Sequence, residues 1–247
     1  MTCLRDRLLR RDPLRGPFLA IPSPVTVEIV AGARPDFVCI DTEHSPISDA
    51  LLTDMIRAAD VARVPALVRV RGKSPNHTAA ALDAGAIGVM VPHISTANEA
   101  AAAVRAARYA PEGARGAGPG RAAGYLRDIP GYVARARAET VVAVQLETLQ
   151  AVENASDILA VPGIDLAFIG PGDLGVDLAA QGGSRTLDDL VNDLIDAAAR
   201  AGVPAGIFTA DRAASADWLR RLPFVIEGSD ALLLTQASDT AFAALPG

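Results

Sequence analysis

The chain has 247 residues, half of them hydrophobic, with 23 basic and 29 acidic side chains and a net charge of −6. That length suits one large domain or two small ones, and the acidic balance argues against a basic face for nucleic acid. Apolar runs fall short of the ~20 residues that a membrane helix needs. Cys3 and Cys39 lack metal-ligand or disulfide-framework spacing, so a soluble protein of a reducing cytoplasm is expected.

The N-terminal stretch MTCLRDRLLRRDPLRG carries five arginines and no apolar core of signal-peptide length. It reads as a short amphipathic helix lying on the domain. Short apolar runs then recur, each followed by polar or glycine residues. They are FLAIP (18–22), FVCID (37–41), ALVRV (66–70), IGVMV (87–91), VVAVQLE (141–147), LAFIG (166–170), AGIFT (205–209) and FVIEG (224–228). Alanine-rich helical segments separate them, among them SDALLTDMIRAADVA, NEAAAAVRAARYA and LDDLVNDLIDAAARA. The runs are nearly continuous in apolar residues, as parallel strands buried on both faces are. Eight strands alternating with helices predict a (β/α)8 barrel, a fold whose typical length is about 250 residues. A doubly wound sheet is the alternative, weakened because no G-x-G-x-x-G opens the first βα unit. RGAGPG at 115–120 belongs to the one long irregular connection, about 110 to 138, and such connections are often functional. With no composition shift and no linker, residues 1–247 are expected to form a single barrel domain.

In such barrels the active site lies at the C-terminal ends of the strands. There the chain places Asp41, Glu43 and His44 after the second strand, Arg69 near the end of the third, and His93 after the fourth. Gln145 and Glu147 finish the fifth, Gly170 to Asp173 follow the sixth, Thr209 ends the seventh, and Ser229 with Asp230 follow the eighth. Arg69 and Glu147 still stand inside apolar runs, which a strand end merely meeting water does not explain. Glu147 and Asp173, on neighbouring strands, are hard oxygen donors suited to Mg²⁺ or Mn²⁺ rather than zinc. Arg69 offers a cationic fork to a carboxylate or a developing oxyanion. His44, three residues from Asp41, can be oriented by that carboxylate and serve as a general base. Metal, arginine and an Asp–His pair together suit enolate chemistry on a 2-oxo acid.

These residues sit in the motifs FVCIDTEHSP, ALVRV, ALDAGAIGVMVPHISTANEAAAAVRAARYAPEGARGAG, VVAVQLET and LAFIGPGDL. Their order and spacing resemble those of the HpcH/HpaI-type class II pyruvate aldolases over nearly the full length. The resemblance implies a homo-trimeric or homo-hexameric (β/α)8 enzyme that cleaves a 4-hydroxy-2-oxo acid to pyruvate, or a related 2-oxo acid, and an aldehyde. It implies a divalent cation, Mg²⁺ or Mn²⁺ with Co²⁺ as a substitute, between Glu147 and Asp173. It further implies that Arg69 steadies the enolate oxygen and that Asp41 and His44 act on protons, usually through water. Gln145 matches a glutamine of the metal-ligand segment, and backbone N–H groups at Gly172 and Asp173 are expected to hold the substrate carboxylate. His93, in VPHIS, is a candidate for the substrate pocket, with a structural role as the other reading. Asp83, in ALDAG, matches a family aspartate near a subunit interface. By its own sequence it ends a helix before the fourth strand, on the wrong face of its own barrel, so only a neighbouring subunit gives it a catalytic part.

The chain departs from the pattern twice: many relatives carry tryptophan in the first strand where this one has GPFLAIPSP, and Gly172 stands where a larger residue is common. Three other readings stand beside this one. A Schiff-base aldolase would need Lys73, the only lysine, which lies in RGKSPN on a loop too wet for the burial such a lysine usually needs. An acyl-CoA lyase or citrate-synthase-like condensing enzyme would use the same enolate site, with Arg115, Arg121 and Arg127 as the cations for CoA. A non-enzymatic barrel would predict loss of the metal pair or the Asp–His pair, and all four residues are present.

Overall fold

The computed structural model describes residues 3–182 and 184–243; the other positions of the expected 1–247 domain lie outside the described residues. Eight strands, β1 (Leu14–Leu19), β2 (Val38–Asp41), β3 (Ala66–Arg69), β4 (Gly88–Val91), β5 (Val141–Leu146), β6 (Leu166–Ile169), β7 (Ala205–Thr209) and β8 (Phe224–Ser229), close into a barrel in sequence order. Every neighbouring pair is parallel, and β1 pairs with β8, which rules out the open doubly wound sheet. Before the first two strands come α1 (Leu4–Leu9) and α2 (Pro24–Ala31), and between later strands α3 (Asp49–Ala62), α4 (Pro75–Ala84), α5 (Ala97–Ala107) and α6 (Ile129–Glu139). The second half carries α7 (Leu149–Glu153), α8 (Ala155–Leu159), α9 (Pro171–Gln181), α10 (Leu187–Ala201), α11 (Arg212–Trp218) and α12 (Asp230–Ala241). Among the described residues no helix is long and apolar enough to cross a membrane.

Strand side chains alternate between two apolar layers, as the period of two requires. One parity faces the helices: Val38, Ile40, Val68, Val142 and Val144 pack there with the inner faces of α3, α5 and α10. The other parity fills the barrel: Phe37, Cys39, Leu67, Val141, Ala143, Leu166, Phe168, Phe224 and Ile226. Leu4 and Leu8 of α1 join this inner cluster and close the barrel at the N-terminal ends of its strands. Continuing the inward parity along β2, β3 and β5 reaches Asp41, Arg69 and Gln145. The same alternation that builds the core thus delivers polar groups to the open end.

Two segments differ from the sequence reading. The first strand runs over Leu14–Leu19 rather than 18–22. Arg15, Gly16 and Pro17 mask it, yet Gly16 is required: a Cβ there would lie 2.0 Å from the Phe37 carbonyl oxygen. The 110–138 connection is not wholly irregular, because α6 occupies its second half. Pro130 and Gly131 obscured that helix, although proline is well tolerated in a first turn, and Asp128 caps it by accepting from the Gly131 N–H at 2.9 Å.

Candidate active site

The parallel register sets Asp41 of β2 against Arg69 of β3. Arg69 Nε donates to Asp41 Oδ1 at 2.9 Å and Nη2 donates to Oδ2 at 2.8 Å, a two-pronged pairing that matches fork to carboxylate. Glu43 Oε2 closes on Nε at 3.3 Å. Phe18 of β1 covers one face of the guanidinium, with 4.4 Å from Cζ to the ring centroid. Among the described residues Nη1 takes no hydrogen bond or ion pair, so that edge is left for a ligand. Burial acts against the charged guanidinium, but the Asp41 and Glu43 carboxylates together outweigh it and hold the Arg69 pKa above its ordinary value.

Asp41 relates to His44 differently from the sequence reading. The N–H groups of Glu43 and His44 donate to Asp41 Oδ1 at 3.1 and 3.4 Å, so Asp41 shapes the turn through its backbone, as aspartates commonly do. Both Asp41 oxygens also serve Arg69. The carboxylate beside the His44 ring is Glu43, whose Oε2 is 3.7 Å from Nε2.

On β5 and the turn after it, Gln145 and Glu147 share a face. The Glu147 side chain is 0% exposed. Its Oε1 accepts from the His93 N–H at 2.8 Å and lies 3.0 Å from His93 Nδ1, while Oε2 accepts from Gln145 Nε2. His93 Nε2 is 3.0 Å from Glu43 Oε1, so one imidazole spans two carboxylates. Burial pushes Glu43 up from the usual carboxylate range against the pull of Arg69, and pushes Glu147 up against the His93 N–H.

These residues fit a divalent cation. Two largely buried carboxylates driven toward neutrality gain from a nearby positive charge. Gln145 Oε1 and Glu43 Oε2 are buried without a hydrogen-bond partner, and each is an acceptor. Glu43, His93 and Glu147 each bring a ligand atom to within 4.8 Å of the others, a group that shares Glu147 with the expected metal pair and does not include Asp173. Gly170 makes room for this group: a Cβ there would lie 2.6 Å from Glu147 Oε2 and 3.1 Å from Gln145 Nε2. A donor set of carboxylate and amide oxygens with at most one imidazole suits Mg²⁺ or Mn²⁺ better than a thiolate-seeking metal.

Asp41, His44, Arg69, Gln145, Gly172 and Asp173 line one cavity of about 300 Å³; Glu147 adjoins it through Gln145, and His93 through Glu147. Asp173 is exposed at the first turn of α9. Phe18, Phe168 and Phe208 supply the apolar wall. The sequence reading missed these three, though each stands on the inward parity of its strand near the mouth. It also left Glu43 open, whereas Glu43 contacts Arg69, His44 and His93. Asp230 lies at the mouth as expected but serves the backbone, accepting from the N–H groups of Ala20 and Ile21.

Asp83 stands apart from this group. At the end of α4, its Oδ1 accepts from Arg115 Nη2 at 2.7 Å, and the Arg115 guanidinium packs on the rings of Tyr109 and Tyr132. Arg121 donates to Ala84 and pairs with Asp60 in the same region, while among the described residues Arg127 reaches only the Gly124 carbonyl. Arg115 and Arg121 therefore serve the end of the barrel opposite the cavity and supply no cation at its own mouth.

Residues 15–234 match the family described as HpcH/HpaI aldolase/citrate lyase. The chain belongs to that family. Family membership, expected from the motifs, is thus borne out. A hydroxypyruvate/pyruvate aldolase of Paraburkholderia phytofirmans is 39% identical over 223 residues, which is 86% of this chain and 85% of that one. A 4-hydroxy-2-oxovalerate aldolase of Novosphingobium aromaticivorans is 40% identical over 213 residues, covering 82% and 79%. The crystal structure of an HpcH/HpaI aldolase/citrate lyase family protein from Burkholderia cenocepacia superposes with a TM-score of 0.89 at 34% identity, covering 96% of each chain.

Proposed function

We propose that this family member is a lyase of the aldolase type that reversibly cleaves a 4-hydroxy-2-oxo acid to pyruvate, or a related 2-oxo acid, and an aldehyde. One observation carries the reading: Asp41 takes Nε and Nη2 of Arg69, Phe18 covers one face, Nη1 is unpaired among the described residues, and Arg69 lines the cavity shared with His44 and Asp173. A fixed cationic donor aimed at a developing oxyanion needs no reorganisation as charge appears. Aldolase relatives at 39% and 40% identity support the same reading.

Glu147 and Asp173 would hold the divalent cation, with Gln145 beside them. Bound there, it would supply Lewis acidity toward the keto oxygen of a 2-oxo acid. The chain's own groups do the rest. N–H groups at Gly172 and Asp173 would receive the substrate carboxylate, a role supported by the first turn of α9 having no side-chain cap. His44 takes the proton of the C4 hydroxyl, directly or through water, as the C3–C4 bond breaks and the aldehyde forms. The bonding pair moves into the enolate, whose oxygen faces Arg69, and the proton then returns to C3. Phe18, Phe168 and Phe208 keep this side of the cavity dry, which strengthens the Arg69 contact.

Lys73 is not the free amine that a Schiff-base enzyme requires, because Nζ is held by Glu99 at 2.5 Å. In this reading the enzyme is cytoplasmic, works without nucleic acid or membrane, and assembles as a trimer or hexamer in which Asp83 serves a neighbouring subunit's site. EDTA should abolish cleavage of a 4-hydroxy-2-oxo acid, and Mg²⁺, Mn²⁺ or Co²⁺ should restore it. Borohydride with pyruvate should leave Lys73 unmodified, as read by intact mass. Trapping at Lys73, or full turnover in EDTA, would refute the mechanism.

A further inference from the structure

His93 occupies a left-handed backbone conformation, with φ 56°. A residue with a Cβ is uncommon there, although histidine enters the region more readily than most, and glycine would sit with less strain. Such an outlier persists where the surroundings over-determine it. On one side, the His93 ring and N–H reach Glu147 and Glu43. On the other side, its carbonyl accepts from Lys73 Nζ at 3.3 Å, across from the loop after β3. Lys73 is itself held by Glu99 Oε1 in the first turn of α5. The second oxygen of Glu99 accepts from the N–H groups of Ser95 and Thr96 at 2.9 and 3.2 Å. The turn 93–96 is therefore gripped at its first carbonyl and at two later N–H groups by one ion pair. A further tie, between the Ser95 and Thr148 hydroxyls at 2.8 Å, joins this turn to the one after β5.

We propose that Lys73 and Glu99 are positioning residues, a strap joining the loops after β3 and β4 that holds His93 where its imidazole spans Glu43 and Glu147. The assignment deepens the reading of Glu147 as a metal carboxylate and rests on it. It gives the only lysine a role without Schiff-base chemistry. An exposed ion pair with no task beyond itself contributes little to stability. The strap's effect should therefore appear in the geometry of Glu147, not in the melting temperature.

The experiment compares wild type with Lys73→Met, Glu99→Gln and Lys73→Arg. Glutamine keeps an oxygen for the Ser95 and Thr96 N–H groups and so spares the α5 cap. Mn²⁺ affinity is read by electron paramagnetic resonance, and thermal midpoints are recorded alongside. Lys73→Met and Glu99→Gln should weaken Mn²⁺ about tenfold, the low end for losing an outer partner of a metal ligand. The midpoint should move by no more than about 2 °C, and Lys73→Arg should recover most of the affinity. Independently of metal and substrate, the ring nitrogen signals of His93 are followed at fixed pH by long-range ¹H–¹⁵N correlation. With three histidines in the chain, assignment is tractable. They should move toward those of an imidazole without carboxylate partners in Lys73→Met. Unchanged His93 signals would overturn the strap whatever the affinity does, leaving a surface ion pair only. A wild-type protein that ignores Mn²⁺ would instead defeat the metal reading, and the imidazole signals would still decide the strap.

Discussion

Arg69 shows how single side chains acquire function from what surrounds them. Asp41 holds Nε and Nη2, Glu43 crowds the Nε edge, and Phe18 covers one face. Each restraint removes a direction in which the guanidinium could turn. Arg69→Ala should therefore lower kcat about 10²–10³-fold in steady-state kinetics, the usual effect of removing a pre-aimed oxyanion donor. Arg69→Lys should recover only part of the loss, because an ammonium is a point charge and cannot take both Asp41 oxygens. Wild-type turnover in either variant would remove Arg69 from the chemistry. At this scale the sequence identified residue types and their end of the barrel: an arginine and a glutamate inside apolar runs are costly unless used. It did not identify partners. Asp41 was expected to serve His44, and its carboxylate serves Arg69 instead, because Arg69 stands opposite on the next strand while His44 offers Asp41 only its N–H.

At the scale of elements, the strand ends carry the site and the turns adjust it. β6 ends at Ile169, and Gly170 turns the chain past Glu147 into α9. The space beside Glu147 Oε2 admits no Cβ. Gly170→Ala should push the carboxylate or the strand end aside, lowering Mn²⁺ affinity at least about tenfold while circular dichroism stays that of the folded barrel. Equal affinity in the alanine variant would show that Glu147 tolerates displacement and that the cradle is not needed. The same scale explains where the sequence reading slipped. Arg15, Gly16 and Pro17 interrupt the apolar run and mask the start of β1, and Pro130 and Gly131 mask the start of α6. At Gly16 the demand comes from the Phe37 carbonyl, which is not visible along the chain, whereas the Asp128 cap stands only three residues from Gly131.

Across the whole molecule, the two ends of the barrel divide the work. At the closed end, the buried Asp165 carboxylate accepts from Arg108 Nη2 at 2.6 Å, from Arg5 Nε at 2.9 Å and from the Val142 N–H at 2.8 Å. That network ties α1, the end of α5 and the starts of β5 and β6 far from the cavity. Removing one partner of a buried ion pair leaves charge uncompensated. Asp165→Ala should thus lower the unfolding free energy by about 3 kcal/mol in chemical denaturation, with kcat of the folded enzyme within about twofold of wild type. A large loss of kcat without loss of stability would mean that the two ends are coupled. The division follows from the barrel itself, whose closed end is sealed by apolar side chains and whose open end is built from the turns after the strands.

The sequence by itself determined the barrel, because strand and helix periodicity are properties of near neighbours along the chain. It also determined that acid, arginine and histidine gather at one end, since inward parity carries β2, β3 and β5 to Asp41, Arg69 and Gln145 and the turns after β2 and β4 add His44 and His93. Only the tertiary structure decided who pairs with whom. His93 meets Glu147 across 54 positions of sequence, Arg69 meets Asp41 across 28, and Lys73 meets Glu99 across 26. Those choices depend on the register and on turns between strands, where a shift of one residue would send every inward side chain to the outer face.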